Sequence, residues 1–443
     1  MTVQKGPTTP RFLQLVQSIS SPLTFMEKNA KRYGEVFEVD LTRKVLFFSS
    51  PKAIQEIFAA NPRKFECGEA NDILQPIVGN YSLLLLDGDR HGRHRSLLMP
   101  PFHQERMKAY GKLICDLTLE VTKKWIPGKP FIARNAARDI SIEVILQAVF
   151  GLSEGKRYEE LRQMLGQMLE ALNSPCKSSM LFLKKLQIDL GPWSPWGKFV
   201  RRRQEIDKLL YAEISDRRAS LDPEASDILT LMLLATDAEG QPLTDEECKD
   251  ELLTLLFAGD ETTATAIAWA LYSIHKHPEV RAKLLAELAT LGDNPEPMAI
   301  AKLPYLNAVC NETLRMYPVT IVTSPRTSKE PITIHAENYD GGTTLVPCIY
   351  LVHRREDLYP EPDKFKPERF LERKFSPYEF FPFGGGNRRC IGAALATMEM
   401  KLVLATILLN YNLALAEERP VRAIRRGVTL APAGGVKMAM LSN

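Results

Sequence analysis

Residues 381–392 read FPFGGGNRRCIG, and they concentrate more chemistry than any other stretch of the chain. Three glycines and two arginines precede Cys390, and an apolar run follows it. A thiol beside Arg388 and Arg389, at the start of a helix, is held as thiolate. A thiolate is a nucleophile or a metal ligand. Two plainer readings stand beside these: an inert buried thiol in a glycine-rich turn, and a phosphate loop. A phosphate loop wants Lys-Ser or Lys-Thr, which are absent. A cysteine nucleophile wants a histidine base, and no nearby segment supplies one. Upstream, AGDETT (258–263) sets acids beside an alcohol in the middle of a helical run, and Glu312-Thr-Leu-Arg315 puts opposite charges on one helical face. Taken alone, both motifs are also ordinary helix surface.

The elements that carry these residues are mostly helical. Residues 22–33 read as a helix, Val36–Val39 and Val45–Ser49 as a hairpin, and Pro51–Ala60 as a helix. From about 88 to 280 the apolar spacing is helical almost throughout. A polar loop at 219–227 breaks it once. The longest helix is expected over Thr244–His277. Thr244 and Glu247 form a capping box and Pro278 stops the run. It should span about 50 Å. Short strands are expected at Ile332–Ile334 and Thr343–Val346, an ordered loop over 355–383, and a last helix from Cys390 to about Asn410.

Composition narrows the field. The chain has 443 residues, 57 Lys and Arg against 54 Asp and Glu, and a net charge of +3. Near balance argues against nucleic acid as a partner. Seven scattered cysteines form no CxxC pair and no disulfide framework, which points to a reducing, cytoplasmic compartment. The first residues lack a signal-peptide stretch. The nearest approach to a membrane span is Leu252–Tyr272, and it carries Asp260 and Glu261 at its middle.

The cysteine loop resembles the haem signature of the cytochrome P450 family, Phe-x-x-Gly-x-Arg-x-Cys-x-Gly, with Phe383, Gly386, Arg388, Cys390 and Gly392 at its fixed positions. AGDETT resembles the family's oxygen-activation motif. The ExxR segment is followed by Pro-Glu-Arg-Phe (367–370), as in the family's Glu–Arg–Arg cluster. The resemblance runs from the first hairpin to the tail. It implies one mainly α, P450-like domain over 1–443. Its β-rich part should lie near 35–50, 320–350 and 412–441, and its α-rich part near 88–318 and 390–410. Haem b should be held by the Cys390 thiolate, which pushes electron density onto iron. Ala258 should lie against the macrocycle. Thr262 should be the alcohol and Glu261 the acid that deliver protons. Glu312, Arg315 and Arg369 should form a buried structural cluster. His91, Arg95, Arg326 and Arg388 should meet the haem carboxylates, with His94 competing for the place of His91.

The presence of Glu261 and Thr262 favours a monooxygenase over relatives that use peroxide or isomerise. Electrons should come from an external ferredoxin or flavodoxin with its reductase, docking on Arg93, Arg388, Arg389 and Lys401. A lipid-like substrate is expected: a long-chain fatty acid first, an alkane or terpenoid second. Ile77, Val78, Leu83, Leu84, Leu253 and Phe257 are candidate lining residues. So are Ala258, Val319, Ile321, Val322 and Leu430, though each is equally plain core. Residues 180–203 read either as an entrance flap touching a membrane surface or as a helix–loop–helix packed on the domain. A non-catalytic haem sensor or carrier is the alternative function.

Overall fold

The computed structural model describes residues 6–41, 43–102, 104–151, 155–173, 187–222, 224 and 227–442. Counting helices of seven residues or more, the described chain runs α1 (Arg11–Ser20), α2 (Pro22–Tyr33), α3 (Pro51–Ala59), α4 (Gly88–Leu98), α5 (Gln104–Thr122), α6 (Ala133–Phe150) and α7 (Lys156–Asn173). It continues with α8 (Pro195–Ala219), α9 (Ile228–Leu234), α10 (Asp245–Lys276), α11 (Pro278–Ala289), α12 (Pro304–Met316) and α13 (Ala393–Asn410). Twelve short strands accompany them, making the fold mainly α with a small β-rich part.

Helix α10 is the axis. Thr244 caps it by accepting from Glu247 N, while the Glu247 carboxylate accepts from Thr244 N, so two orphan donors are satisfied reciprocally. Its face against α6 is held close by Gly259, where an added Cβ would meet Ile145 at 3.1 Å. Gly259 thus serves helix packing, while Ala258 beside it is exposed.

Strands β1 (Val36–Asp40), β2 (Lys44–Phe48), β3 (Phe65–Glu66), β5 (Arg326–Ser328) and β8 (Thr344–Pro347) form one sheet in the order β1-β2-β8-β5-β3. β2 and β8 are parallel, and the other neighbours antiparallel. A second sheet joins β4 (Pro130–Ile132), β12 (Lys437–Met440) and β9 (Leu413–Leu415). Two hairpins complete the β structure: β6 (Ile332–Ile334) with β7 (Glu337–Tyr339), and β10 (Ala423–Arg426) with β11 (Thr429–Pro432).

Among the described residues one helix is long and apolar enough to cross a membrane, Ala393–Asn410, and 61% of it is buried as core. Sequence had pointed instead to Leu252–Tyr272, which is interior to α10. The segment 180–203 is described only from 187. There, Ile188, Leu190 and Trp193 are exposed, and Trp196 stacks on Phe199 at the start of α8. The rest of that segment lies outside the described residues.

Candidate functional site

The cysteine loop folds on its own backbone and on α3. Cys390 N donates to Phe383 O (2.9 Å) and Gly384 N to Phe381 O (2.9 Å). Gly386 adopts φ 63°, and a Cβ there would meet the Phe58 carbonyl at 2.7 Å; at Gly385 it would fall 2.2 Å from the Phe58 ring. These glycines are therefore required by a close approach of loop to helix. Helix α13 starts at Ala393, so Cys390 sits just ahead of it rather than at its first residue. The Cys390 side chain is accessible, yet surrounding protein raises its pKa by desolvation. The Gly392 N–H and the Arg95 and Arg389 charges pull it back down.

Helix α10 has a gap in its burial. Leu252–Leu256 and Thr263–Ile274 are buried, but Phe257, Ala258 and Thr262 are not. Thr262 Oγ1 donates to Ala258 O at 2.7 Å, the back-bond that bends a helix locally. Glu261 is held by Arg134 at 2.7 and 2.8 Å, with Arg426 at 3.6 Å. It is bridged by two arginines from α6 and β10, contacts that no local pattern announces.

The cations around the loop are short of anions. Arg326 is buried and donates to Gly385 O (2.9 Å), Ser324 O (3.3 Å) and Thr323 Oγ1 (3.4 Å); desolvation lowers its pKa to about 10. Arg95 donates to Arg389 O (2.8 Å). Arg388 donates to Leu83 O (3.0 Å) and Asp87 (2.5 Å), and its buried Nε has no partner. His91 is buried too, its pKa lowered to about 3 by desolvation and by the charges of Arg388 and Arg95. His94 is already engaged, with Glu251 at 2.8 Å and Glu247 at 3.2 Å on α10. It is thereby withdrawn from the cation cluster, and His91 is not. Buried Arg326 and half-buried Arg95 and Arg388, with neutral His91 beside them and Asp87 as the one ion-pairing carboxylate among the described residues, suit a ligand that brings its own carboxylates.

Beneath the loop, Glu312 Oε2 accepts from Arg315 Nε (2.6 Å), while Oε1 accepts from Arg315 Nη2 (2.8 Å), Arg369 Nε (3.1 Å) and Lys366 N (2.8 Å). Glu312 and Arg315 are fully buried. Arg315 Nη1 donates on to His353 O, and His353 Nε2 accepts from Phe381 N (3.2 Å), so the cluster is joined to the cysteine loop.

The apolar lining candidates divide. Leu84, Phe257, Ala258, Val319, Ile321 and Val322 keep accessible surface. Ile77, Val78, Leu253 and Leu430 have 2% or less, and Leu83 has 7%; these five are core rather than lining. Ile77 and Val78 pack in the main core beside α10. Trp269 Nε1 donates to Leu430 O (2.9 Å), and Leu430 N to Val319 O (2.7 Å). Of the expected docking cations, Arg93 is tied to Asp237 (2.6 Å) and Glu247 (3.3 Å), and Arg388 points inward as above.

Sequence reasoning missed a buried acid pair between α10 and α13. Asp260 accepts from Arg138 Nε (2.9 Å), and Glu399 from Ser141 Oγ. Desolvation pushes Asp260 up to about 6 and Glu399 up to about 7, the latter also raised by the Asp260 charge. Because both pKa values are raised on folding, the native state favours the protonated forms. Its stability is fully present below the ordinary carboxyl range and is lost as pH rises through about 6 to 7. Glu399→Gln removes the larger part. It should leave Tm nearly unchanged at pH 4 and raise it at pH 8, by up to about 3 kcal/mol of stability. Thermal melts at the two pH values check this, and an equal or lower Tm of the variant at pH 8 contradicts it.

An accessible cysteine loop, a helix with a half-exposed, back-bonded alcohol and a cation cradle together suit a flat, dianionic, thiolate-ligated cofactor: a haem. The sequence profile of the cytochrome P450 family matches residues 4–438. Cytochrome P450 135B1 of Mycobacterium tuberculosis is 34% identical, over 99% of this chain and 91% of its own length. Cytochrome P450 135A1 of the same species is 31% identical over 98% and 94%, and cytochrome P450 138 of Mycobacterium bovis 32% over 97% and 94%. The retinoic acid-bound cyanobacterial CYP120A1 superposes with a TM-score of 0.84 at 24% identity, covering 100% and 99% of the two chains, a likeness of fold. The chain belongs to the cytochrome P450 family, whose members are monooxygenases binding haem b through a cysteine thiolate.

Proposed function

We propose that the chain inserts one oxygen atom from O₂ into a lipid-like substrate, a long-chain fatty acid before an alkane or terpenoid. Electrons come from an external ferredoxin or flavodoxin. Cys390 is the axial ligand, with Phe383, Gly386 and Gly392 shaping its loop. His91, Arg95, Arg326 and Arg388 receive the carboxylates. When bound, the haem supplies oxygen activation and transfer. The chain's own part is to exclude bulk water, orient the substrate along Ala258 and Phe257, and supply protons. Thr262 holds a proton at Oγ1 beside that surface. Glu261, the neighbouring acid, passes one only by leaving Arg134. The observation that carries this reading is the Thr262–Ala258 back-bond within an accessible gap of an otherwise buried helix.

For the electron donor, support comes from a cleft of about 740 Å³ on the other side of the cysteine loop. Lys302, Arg389 and Lys401 line it with Met298, Phe58 and Phe383, and no described carboxylate does. An acidic partner complements such a face. The exposed Ile188, Leu190 and Trp193 support peripheral contact with a membrane surface by a protein otherwise in the cytoplasm.

Thr262→Ala should bind substrate, accept electrons and consume O₂, but release hydrogen peroxide, so product per electron falls. Glu261→Gln should slow turnover about 10²–10⁴-fold. Product and peroxide per reductant consumed decide the matter. Unchanged coupling in Thr262→Ala removes this hydroxyl from the mechanism. Absence of substrate-driven O₂ consumption in the wild type favours a haem sensor or carrier instead.

A further inference from the structure

The cations assigned to the haem carboxylates are themselves held in place, and Asp87 does much of the holding. It precedes α4 and stands four and eight residues ahead of His91 and Arg95, so the three share one helical face. Aspartate at that position ordinarily caps its helix, but the Asp87 side chain makes no capping bond. It turns to two other segments instead. Oδ1 accepts from Cys67 N (2.8 Å) and from Arg388 Nη2 (2.5 Å), and Oδ2 accepts from Gly68 N (2.9 Å). An added Cβ at Gly68 would fall 1.9 Å from Leu85 O and 3.0 Å from Asp87 Oδ2, so this close approach requires glycine. Both terminal nitrogens of Arg388 are then engaged. Nη1 donates to Leu83 O (3.0 Å), and Nη2 to Leu86 O as well as to Asp87. Nε is left over, buried and without a partner.

We propose that Asp87 is a positioning residue for haem: it fixes the Arg388 guanidinium so that Nε is the donor offered to a haem carboxylate, and it balances the one cradle charge that the haem leaves over. The inference rests on the assignment of Arg388 to a haem carboxylate and goes one residue beyond it. Arg95, Arg326 and Arg388 carry three positive charges, since His91 is neutral, its pKa lowered to about 3. The two haem carboxylates bring two negative charges, and Asp87 brings the third. Arg326 is buried and the Arg388 side chain keeps 7% exposure, so a surplus charge there would go largely without hydration. The ion pair also sets direction. A guanidinium is planar and holds its donors in a rigid fork, so pinning two nitrogens aims the third. A plain structural tie between α4 and residues 67–68 would need the bonds to Cys67 N and Gly68 N, but not the one to Arg388.

The test is the rate at which haem leaves the loaded full chain for an excess of apomyoglobin, measured for the wild type, Asp87→Asn, Arg388→Gln and the double variant. Arg388→Gln should hasten release at least about 10-fold, and so should Asp87→Asn, the scale on which outer-shell partners of a metal site act. In the Arg388→Gln background the effect of Asp87→Asn should disappear or change sign. There Asp87 is an uncompensated negative charge beside a dianionic ligand, so removing it leaves release unchanged or slows it. Asp87→Asn that hastens release equally in both backgrounds overturns the inference, because a structural tie acts without Arg388. Release at the wild-type rate in Asp87→Asn overturns it too. Circular dichroism and Tm accompany each sample. Where Asp87→Asn does not fold, Asp87→Glu, which keeps the charge and displaces it by one methylene, takes its place: faster release in the native background and no change beside Arg388→Gln are expected, and equal acceleration in both is the contrary result. Unaltered release in Arg388→Gln sinks the carboxylate assignment and the positioning role together. A faster Arg388→Gln beside an unaltered Asp87→Asn sinks the positioning role alone.

Discussion

Glu312→Ala yields a poorly folded protein with little haem. Glu312 is fully buried and accepts from Arg315, Arg369 and the Lys366 backbone. Deleting its carboxylate leaves the Arg315 guanidinium, itself fully buried, without its charge partner. Breaking such a pair costs about 3–5 kcal/mol, a large share of the about 5–15 kcal/mol that holds a typical domain folded. The loss does not stay local. Arg315 donates to His353 O, and His353 accepts from Phe381 N at the start of the cysteine loop, so the loop loses its footing as well. Arg369→Ala should cost less, since its side chain keeps 10% exposure and can rehydrate. Tm and the haem-to-protein absorbance ratio measure both effects. Full haem content and an unchanged Tm in Glu312→Ala would mean an ordinary surface-type pair, worth about 1 kcal/mol or less.

Much of this architecture was legible because its signals are local. The Thr244–Glu247 box and Pro278 bracket the long helix to within a residue at each end, since capping is decided by neighbours in sequence. The first hairpin and the helices at 22–33 and 51–59 follow from turn residues and spacing in the same way. Helix α1 went unread. It buries Gln14, which bonds Pro7 O, Thr9 O and Asp40 N, while Phe12, Val16 and Ile19 stand exposed, the reverse of the usual amphipathic signal. What spacing could not supply was which charges meet. Arg134 and Glu261 are 127 residues apart, and Ser141 and Glu399 are 258. Residue types named the proton-delivery acid but not the arginines that hold it. They named a cation set but not that His94 would turn to Glu251.

The second large effect is at Cys390, and it bears on the central claim that this thiol is the axial ligand of the haem. Cys390 is accessible in a loop pressed onto Phe58; desolvation raises its pKa as it does for the other cysteines, and the Gly392 N–H and the charges of Arg95 and Arg389 act against that rise. The other described cysteines are buried or half-buried. Burial pushes Cys248, Cys310 and Cys348 up to about 12, so they remain thiols at neutral pH. Cys390→Ala should leave a protein without turnover, and Cys390→His should ligate through nitrogen if it binds haem at all. The decisive measurement is the spectrum of the reduced, carbon monoxide-treated protein. The wild type should show the red-shifted Soret band of a thiolate-ligated haem, and both variants should lack it. Persistence of that band in either variant, or its absence from the well-folded, haem-loaded wild type, would contradict the account.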